Sequence, residues 1–469
     1  MNDHDALPPD SAANAERYAD TRHVLHGPDG PGVLRTVLYA TYVGALLAAT
    51  YGYTVARGIF ATSDREWLRS VLLSPGAALA LGAAVVGVVL VAFRAGQVRG
   101  PVVPPLPWTD LVVTSALDRP LVLRDWWLVS STLAVVGGVL GGGVVGAGLW
   151  GAGAAGGLAL VGGLVGGAAV GGAAVWAWLL GEARDPAYAV RGRVVVARPR
   201  RVLADLRMGT LRAQGVRTTH LGGAILAGDL RAARLEVASP IRRARRARLR
   251  AGRPWTTMAR RDLLGLRRQP GAAVTGVIMT AAAGAALGWG LAIPAVPPGI
   301  VVLAGVLAYL GVGWWCEGLR LGADTSGTPP LFGLTPRLEA LAHTVVPTIA
   351  AIVVLVLSGG GVAAAQGANV LVAAAWLGAC AVILIALQVV AAYRGQPPTG
   401  AFLPESGPTT LVFFMARSVL AAGLFVGGLT SLAGHVGMPR LWSVIALAVV
   451  ITVTWALSRQ RALTLDHRQ

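Results

Sequence analysis

The chain has 469 residues, 55% of them hydrophobic and 13% charged, with 63 glycines and a formal net charge of +18. Soluble proteins carry about 25% charged residues and glycine is enriched in membrane helices, so the composition argues against a soluble globular domain. All 40 basic residues are arginine; without lysine the chain has no complete Walker A phosphate loop and no lysine Schiff-base chemistry.

The first 32 residues are polar and lack the basic-then-apolar layout of a cleaved leader, so 1–32 is expected to be a cytoplasmic tail. Apolar blocks follow, each long enough to cross about 30 Å of hydrocarbon. Spans are predicted at roughly 33–56, 71–93, 126–149, 154–180, 272–292, 297–317, 341–359, 367–392, 409–430 and 441–458. The expected fold is all-α and polytopic, with about ten transmembrane helices. A first transmembrane unit (33–180), an arginine-rich helical cytoplasmic region (181–271), a second unit of about six spans (272–458) and a cytoplasmic tail (459–469) make up the expected organisation. The 126–180 pair is the least distinct, because 134–173 is almost pure Gly, Ala, Val and Leu, with a tight turn expected near Trp150.

Arginine placement sets the orientation. With the N-terminus inside, the outer segments hold only Arg57, Arg65, Arg69 and Arg440, while the inner ones hold nearly all the rest. Inner-face enrichment in basic residues is the rule for bacterial inner and other plasma membranes, so both termini are expected in the cytoplasm. Within 181–271, Arg201–Gln214 reads as an amphipathic helix, and Leu221–Leu235 repeats the pattern. The basic run Arg242–Arg250 follows. It lacks interleaved aromatics, so lipid headgroups or a charged docking surface fit it better than nucleic acid.

Gly138, Gly142 and Gly146, and then Gly163, Gly167 and Gly171, recur every fourth residue and place small residues along one helix face. Internal helix packing is the simpler use; a homodimer interface or a sliding gate is the alternative. Acidic residues are missing from mid-span positions, which counts against a proton- or sodium-driven carrier. Glu182 and Glu317 sit at inner span ends, where they are expected to reach water. Arg417 falls about two turns into its span, where a central arginine costs roughly 2.5–3.5 kcal/mol on insertion scales. It either snorkels inward or lines a pathway, paired with Glu405 or a partner. Gln388 and Asn369 read as helix-to-helix hydrogen bonders, His343 as interfacial, and Cys316 and Cys380 as small buried thiols. No HExxH, GxSxG or metal-spaced His cluster occurs, so no enzyme activity, cofactor or metal is expected.

The stretch Trp255–Pro270 (WTTMARRDLLGLRRQP) resembles the segment that enters the first membrane helix of ABC-2-type exporter permeases: an interfacial helix with an Arg-Asp pair, ended by proline. The inner loops at 100–125 and 328–344, with Asp118-Arg119-Pro120 and Thr335-Pro336-Arg337, are similar to inner loops of that family, and six predicted spans follow Pro270. The resemblance covers roughly 255–458 with moderate specificity and 33–180 only loosely; the four extra spans and the arginine-rich region depart from the usual single unit. It implies a permease subunit driven by a separate ABC ATPase chain that docks on the inner loops. Arg260, Arg261, Asp262, Arg267 and Arg268, with Asp118, Arg119, Arg124, Arg337 and Glu339, are the docking candidates it implies, although each arginine also obeys the inner-face rule. Arg417 is the pathway candidate. A scaffold subunit with no pathway, or a lipid- or polymer-handling membrane enzyme, is the alternative. A faint echo between 33–180 and 272–392 leaves both duplication and coincidence open.

Overall fold

The computed structural model describes residues 11–26, 32–62, 64–184, 198–226, 249, 252–326, 328, 333–395 and 407–466. Every regular element among them is helical. Nine helices among the described residues are long and apolar enough to cross a membrane, and a tenth span is complete if one bent pair counts as one crossing. The chain divides into two compact units, 1–239 and 240–469. The described helices of the arginine-rich region are shared between them.

The first unit opens with α1 (Ser11–His26). Its long helices are α2 (Val33–Ala61), α4 (Pro75–Val98), α5 (Arg119–Gly151) and α6 (Leu158–Ala183), with the short α3 (Arg65–Leu72) between α2 and α4. Their starts are written in the sequence. Asp64 accepts from Trp67 N to cap α3, and Ser74 accepts from Ala77 N to cap α4 ahead of Pro75, satisfying N–H groups that a helix start leaves open. The glycine rows join α5 to α6. A Cβ on Gly138 would overlap the Gly167 carbonyl, one on Gly142 the Gly163 carbonyl, and one on Gly171 the Ala134 carbonyl. The two backbones therefore touch, and these rows serve internal packing. Gly96 and Gly181 bring α4 and α6 together in the same way. In hydrocarbon this contact is dispersion and weak Cα–H···O bonding rather than hydrophobic burial.

Two shorter helices, α7 (Pro199–Asp205) and α8 (Met208–Leu226), complete the unit. The single helix expected over 201–214 is broken at Leu206, whose backbone is extended (φ −61°, ψ 126°). The break turns Val202, Leu203, Leu206 and Leu211 all into one buried cluster with Trp108, Val112, Val122, Leu123 and Leu179. The pattern of the next expected helix runs beyond Leu226, and its remainder, like the basic run, lies outside the described residues apart from Leu249.

The second unit begins with α9 (Pro254–Arg268) and continues through α10 (Pro270–Ala292). Next come α11 (Pro298–Gly313) and α12 (Glu317–Asp324), which meet at 68°. The unit ends with α13 (Pro336–Ala365), α14 (Val370–Ala392), α15 (Phe413–Val436) and α16 (Met438–Leu465). The span predicted at 297–317 is thus broken. The 16 residues of α11 reach about 24 Å, short of the hydrocarbon thickness, and α12 turns away after Trp314-Trp315-Cys316. Asn369 caps α14 by accepting from Leu371 N and Val372 N, so it begins a helix rather than bridging two. π-helical turns at Val356–Gly360 and Gly423–Gly428 mark close approaches: Gly288 lies against the Gly359 carbonyl, and Gly427 against Val301.

The two units share span order but not packing. In the first, the opening span packs mainly on the third; in the second it packs about equally on the second and the third.

Two outcomes test this packing. Gly142→Leu should lower the thermal midpoint of the detergent-solubilised protein sharply, since overpacking costs typically about 1–3 kcal/mol or more. Gly141→Leu, whose added Cβ meets nothing within 4 Å, should leave the midpoint unchanged by the same fluorescence-monitored melt. Tyr18 on α1 donates to Asp125 Oδ2 at 3.3 Å, and burial, then the Asp125 charge and this bond, push its phenol up to about 12 against a partial offset from Arg22. The ordinary phenol value is about 10, so the neutral phenol's contribution to docking α1 is complete below that and lost as pH rises through about 12. The phenolate absorbance difference between the wild type and Tyr18→Phe should titrate there.

Candidate functional site

Helix α9 is sorted by charge. Pro254 occupies its first turn, Arg267 and Arg268 sit in its last turn where the helix dipole favours cations, and Pro270 ends it. Thr257, Met258 and Asp262 are buried, while Arg260, Arg261, Arg267 and Arg268 are exposed. None of these four arginines makes an ion pair among the described residues.

Asp262 is the inward-facing member. Its Oδ2 lies 2.8 Å from His343 Nδ1 in the first half of α13. With Asp262 ionised, its carboxylate only accepts and the imidazole donates from Nδ1. The side chains are 5% and 1% exposed, which corrects the interfacial placement expected for His343: the ring is enclosed. The enclosing wall is α12. A Cβ at Gly318 would overlap the Asp262 carboxylate, and one at Gly322 would stand 3.1 Å from His343 Cδ2. Two glycines four residues apart thus leave a groove in α12 for the pair, which joins α9 to α13.

Polar residues continue from this pair into the unit. Arg320 on α12 contacts Glu317 at 3.5 Å and donates to Gln388 Oε1 at 3.3 Å. Gln388 on α14 donates in turn to the Tyr309 carbonyl of α11 at 2.8 Å, the helix-to-helix bond its sequence position suggested. Glu339 and Asp324 stand near the buried Tyr393, whose phenol is raised first by burial and then by their charges. Arg337 is exposed at the start of α13, which Thr335 caps by accepting from Leu338 N. Cys316 and Cys380 are buried free thiols.

The candidates of the first unit are engaged differently. Glu182, expected to reach water, is fully buried, and its carboxylate accepts from Val102 N at 3.2 Å. Gln214 of α8 accepts from Gly100 N at 2.6 Å, and Arg217 donates to the Val98 carbonyl at 2.5 Å. Asp110 pairs with Arg212 and Asp118 with Arg200, while Arg119 donates to the Leu206 carbonyl. The mostly exposed pairs contribute little; the buried Gln214 and Glu182 contacts hold the 98–118 loop against its own chain. Of the three candidates here, Arg124 is exposed and makes no ion pair among the described residues. Sequence reading missed this role of Gln214, because a lone glutamine on an amphipathic helix carries no signal of its loop partner.

Arg417, the pathway candidate, stands near the start of α15 with its guanidinium 4.6 Å from the Phe414 ring centroid. Its suggested partner Glu405 lies outside the described residues.

No family model matches the chain, and comparison with curated proteins and with solved structures finds no match. The helices speak for themselves. This is an integral, multi-pass membrane protein of all-α architecture. No group of three or more His, Cys, Asp or Glu side chains able to hold a metal occurs among the described residues.

If Gly318 exists to admit the Asp262 carboxylate, Gly318→Ala should expel it and leave His343 buried without its acceptor. The expected loss is about 1–3 kcal/mol, read as a lower thermal midpoint, with faster proteolysis at α9. Gly378→Ala, where an added Cβ meets nothing within 4 Å, should melt as the wild type does.

Proposed function

We propose that this chain is the membrane-spanning permease subunit of an ABC-type exporter, driven by a separate ATPase chain that docks at the arginine-rich end of the second unit. That end faces the cytoplasm in this reading, with both termini on the same side. The observation that carries the proposal is the buried bond from Asp262 to His343. A partner gripping the exposed face of α9 would pull, through that bond, on the start of α13 and on the groove in α12. Force applied at the interface would reach the spans without crossing a flexible loop.

Charge supports the same division of labour. Arg260, Arg261, Arg267 and Arg268 offer a cationic face without internal counter-charges among the described residues, and the lysine-free chain has no Walker A loop of its own. Within the second unit the far end carries only Arg440. The loop at 98–118 takes the lesser docking role, because Asp110, Asp118 and Arg119 are already bonded to α7 and α8 or to the turn between them.

Purification of the tagged full-length chain from its native membranes in mild detergent should bring down a Walker A-containing chain that hydrolyses ATP. Arg261→Ala and Arg268→Ala should cut its recovery several-fold without moving the thermal midpoint of the membrane chain. Asp262→Asn should leave recovery intact while changing the ATPase rate in the complex. Purification with no ATP-hydrolysing chain attached would overturn the reading.

A further inference from the structure

Arg394 follows α14, Arg417 lies early in α15 and Arg459 late in α16, all at the arginine-rich end of the second unit. Arg417 is close enough to Arg394 and Arg459 for their charges to repel it, and none of the three makes an ion pair among the described residues. Two of the three cations share one aromatic ring: Arg394 stands 5.5 Å and Arg417 4.6 Å from the Phe414 centroid. Arg394 donates to the Met415 sulfur at 2.9 Å, a weak acceptor, and burial disfavours its charge.

The donors are not matched by acceptors. Arg394 Nε and Arg417 Nε and Nη2 are shielded from solvent and have no hydrogen-bond partner among the described residues. One residue beyond Arg459, Gln460 is 2% exposed, and both ends of its amide are equally unmatched. Shielded polar atoms are satisfied in native proteins with few exceptions, and like charges converge at a membrane face only at a cost. Planar guanidinium groups with open N–H forks match phosphate oxygens, and basic recesses between membrane helices hold acidic lipid headgroups. From these observations we infer that Arg394, Arg417 and Arg459 form a binding site for a phosphate group, carried by an anionic lipid headgroup or free in solution. The site is independent of the ATPase reading, since it uses none of the proposed docking residues.

The test is thermal unfolding of the full-length protein in neutral detergent, with phosphatidylglycerol or phosphatidylcholine added, and separately with sodium phosphate or sodium chloride at matched ionic strength. Phosphatidylglycerol should raise the wild-type midpoint by several degrees more than phosphatidylcholine. Arg417→Gln and Arg394→Gln should each lose most of that gain, and Arg440→Gln, at the other end, should keep it. A phosphate-specific gain that follows the same variants assigns the site to free anions; a lipid gain without it assigns the headgroup. Without added lipid, the glutamine variants should melt no lower than the wild type, because each removes an unmatched cation. If one does not fold, native mass spectrometry of the wild type with either lipid and of Arg417→Lys, which keeps charge but loses the fork, gives the same comparison through bound-lipid counts. No wild-type preference for phosphatidylglycerol or phosphate, or an equal preference in the glutamine variants, overturns the site.

Discussion

Hydrocarbon supplies no hydrogen-bond partner to a peptide group, and that constraint organises this protein. Each described segment of membrane length satisfies its backbone internally as a helix. Helix starts are closed by Asp64, Ser74, Thr335 and Asn369. Several polar side chains inside the units pair with backbone or with each other, as Gln388 does with Tyr309 and Arg320, and Trp376 with Thr430. Since apolar contact between helices is worth little more than contact with lipid, cohesion depends on close backbone approach. The glycines of α5 and α6, and those at the π-helical turns of the second unit, provide it.

The same constraint makes the Asp262–His343 bond informative. A carboxylate and an imidazole are costly to enclose, and they are retained here at a junction of three helices, inside a groove that two glycines leave open. An interfacial helix held only by its apolar residues could slide along the membrane face. One pinned by an internal hydrogen bond moves with the helix it is pinned to. The first unit fixes its 98–118 loop by a related device, with Glu182 and Gln214 serving backbone N–H groups of the 100–102 turn.

Much of this was legible in the amino-acid order. Apolar block length located the nine membrane-length helices among the described residues, and the four-residue glycine spacing foretold the α5–α6 contact. Asp262 is marked in the sequence only as one of the docking candidates that the family resemblance implies. Its partner is not marked, since His343 lies 81 residues away and nothing local marks a distant bond. The breaks at Leu206 and after Gly313 were equally hidden. Leucine and tryptophan fit a helix by propensity, and only the cluster that Leu206 joins, or the bond from Trp315 Nε1 to the Ala273 carbonyl, interrupts it. Glu182 was misjudged because a carboxylate at a span end normally meets water, whereas here the chain folds back over it.

The central claim is that Asp262 and His343 act as one linkage between the interfacial helix and the membrane core. A double-mutant cycle measures it directly: thermal or denaturant stability of the wild type, Asp262→Ala, His343→Ala and the double variant, all in the same detergent. A true linkage predicts a coupling energy of about 0.5–3 kcal/mol, with the double variant scarcely worse than either single one. Strictly additive losses would contradict it.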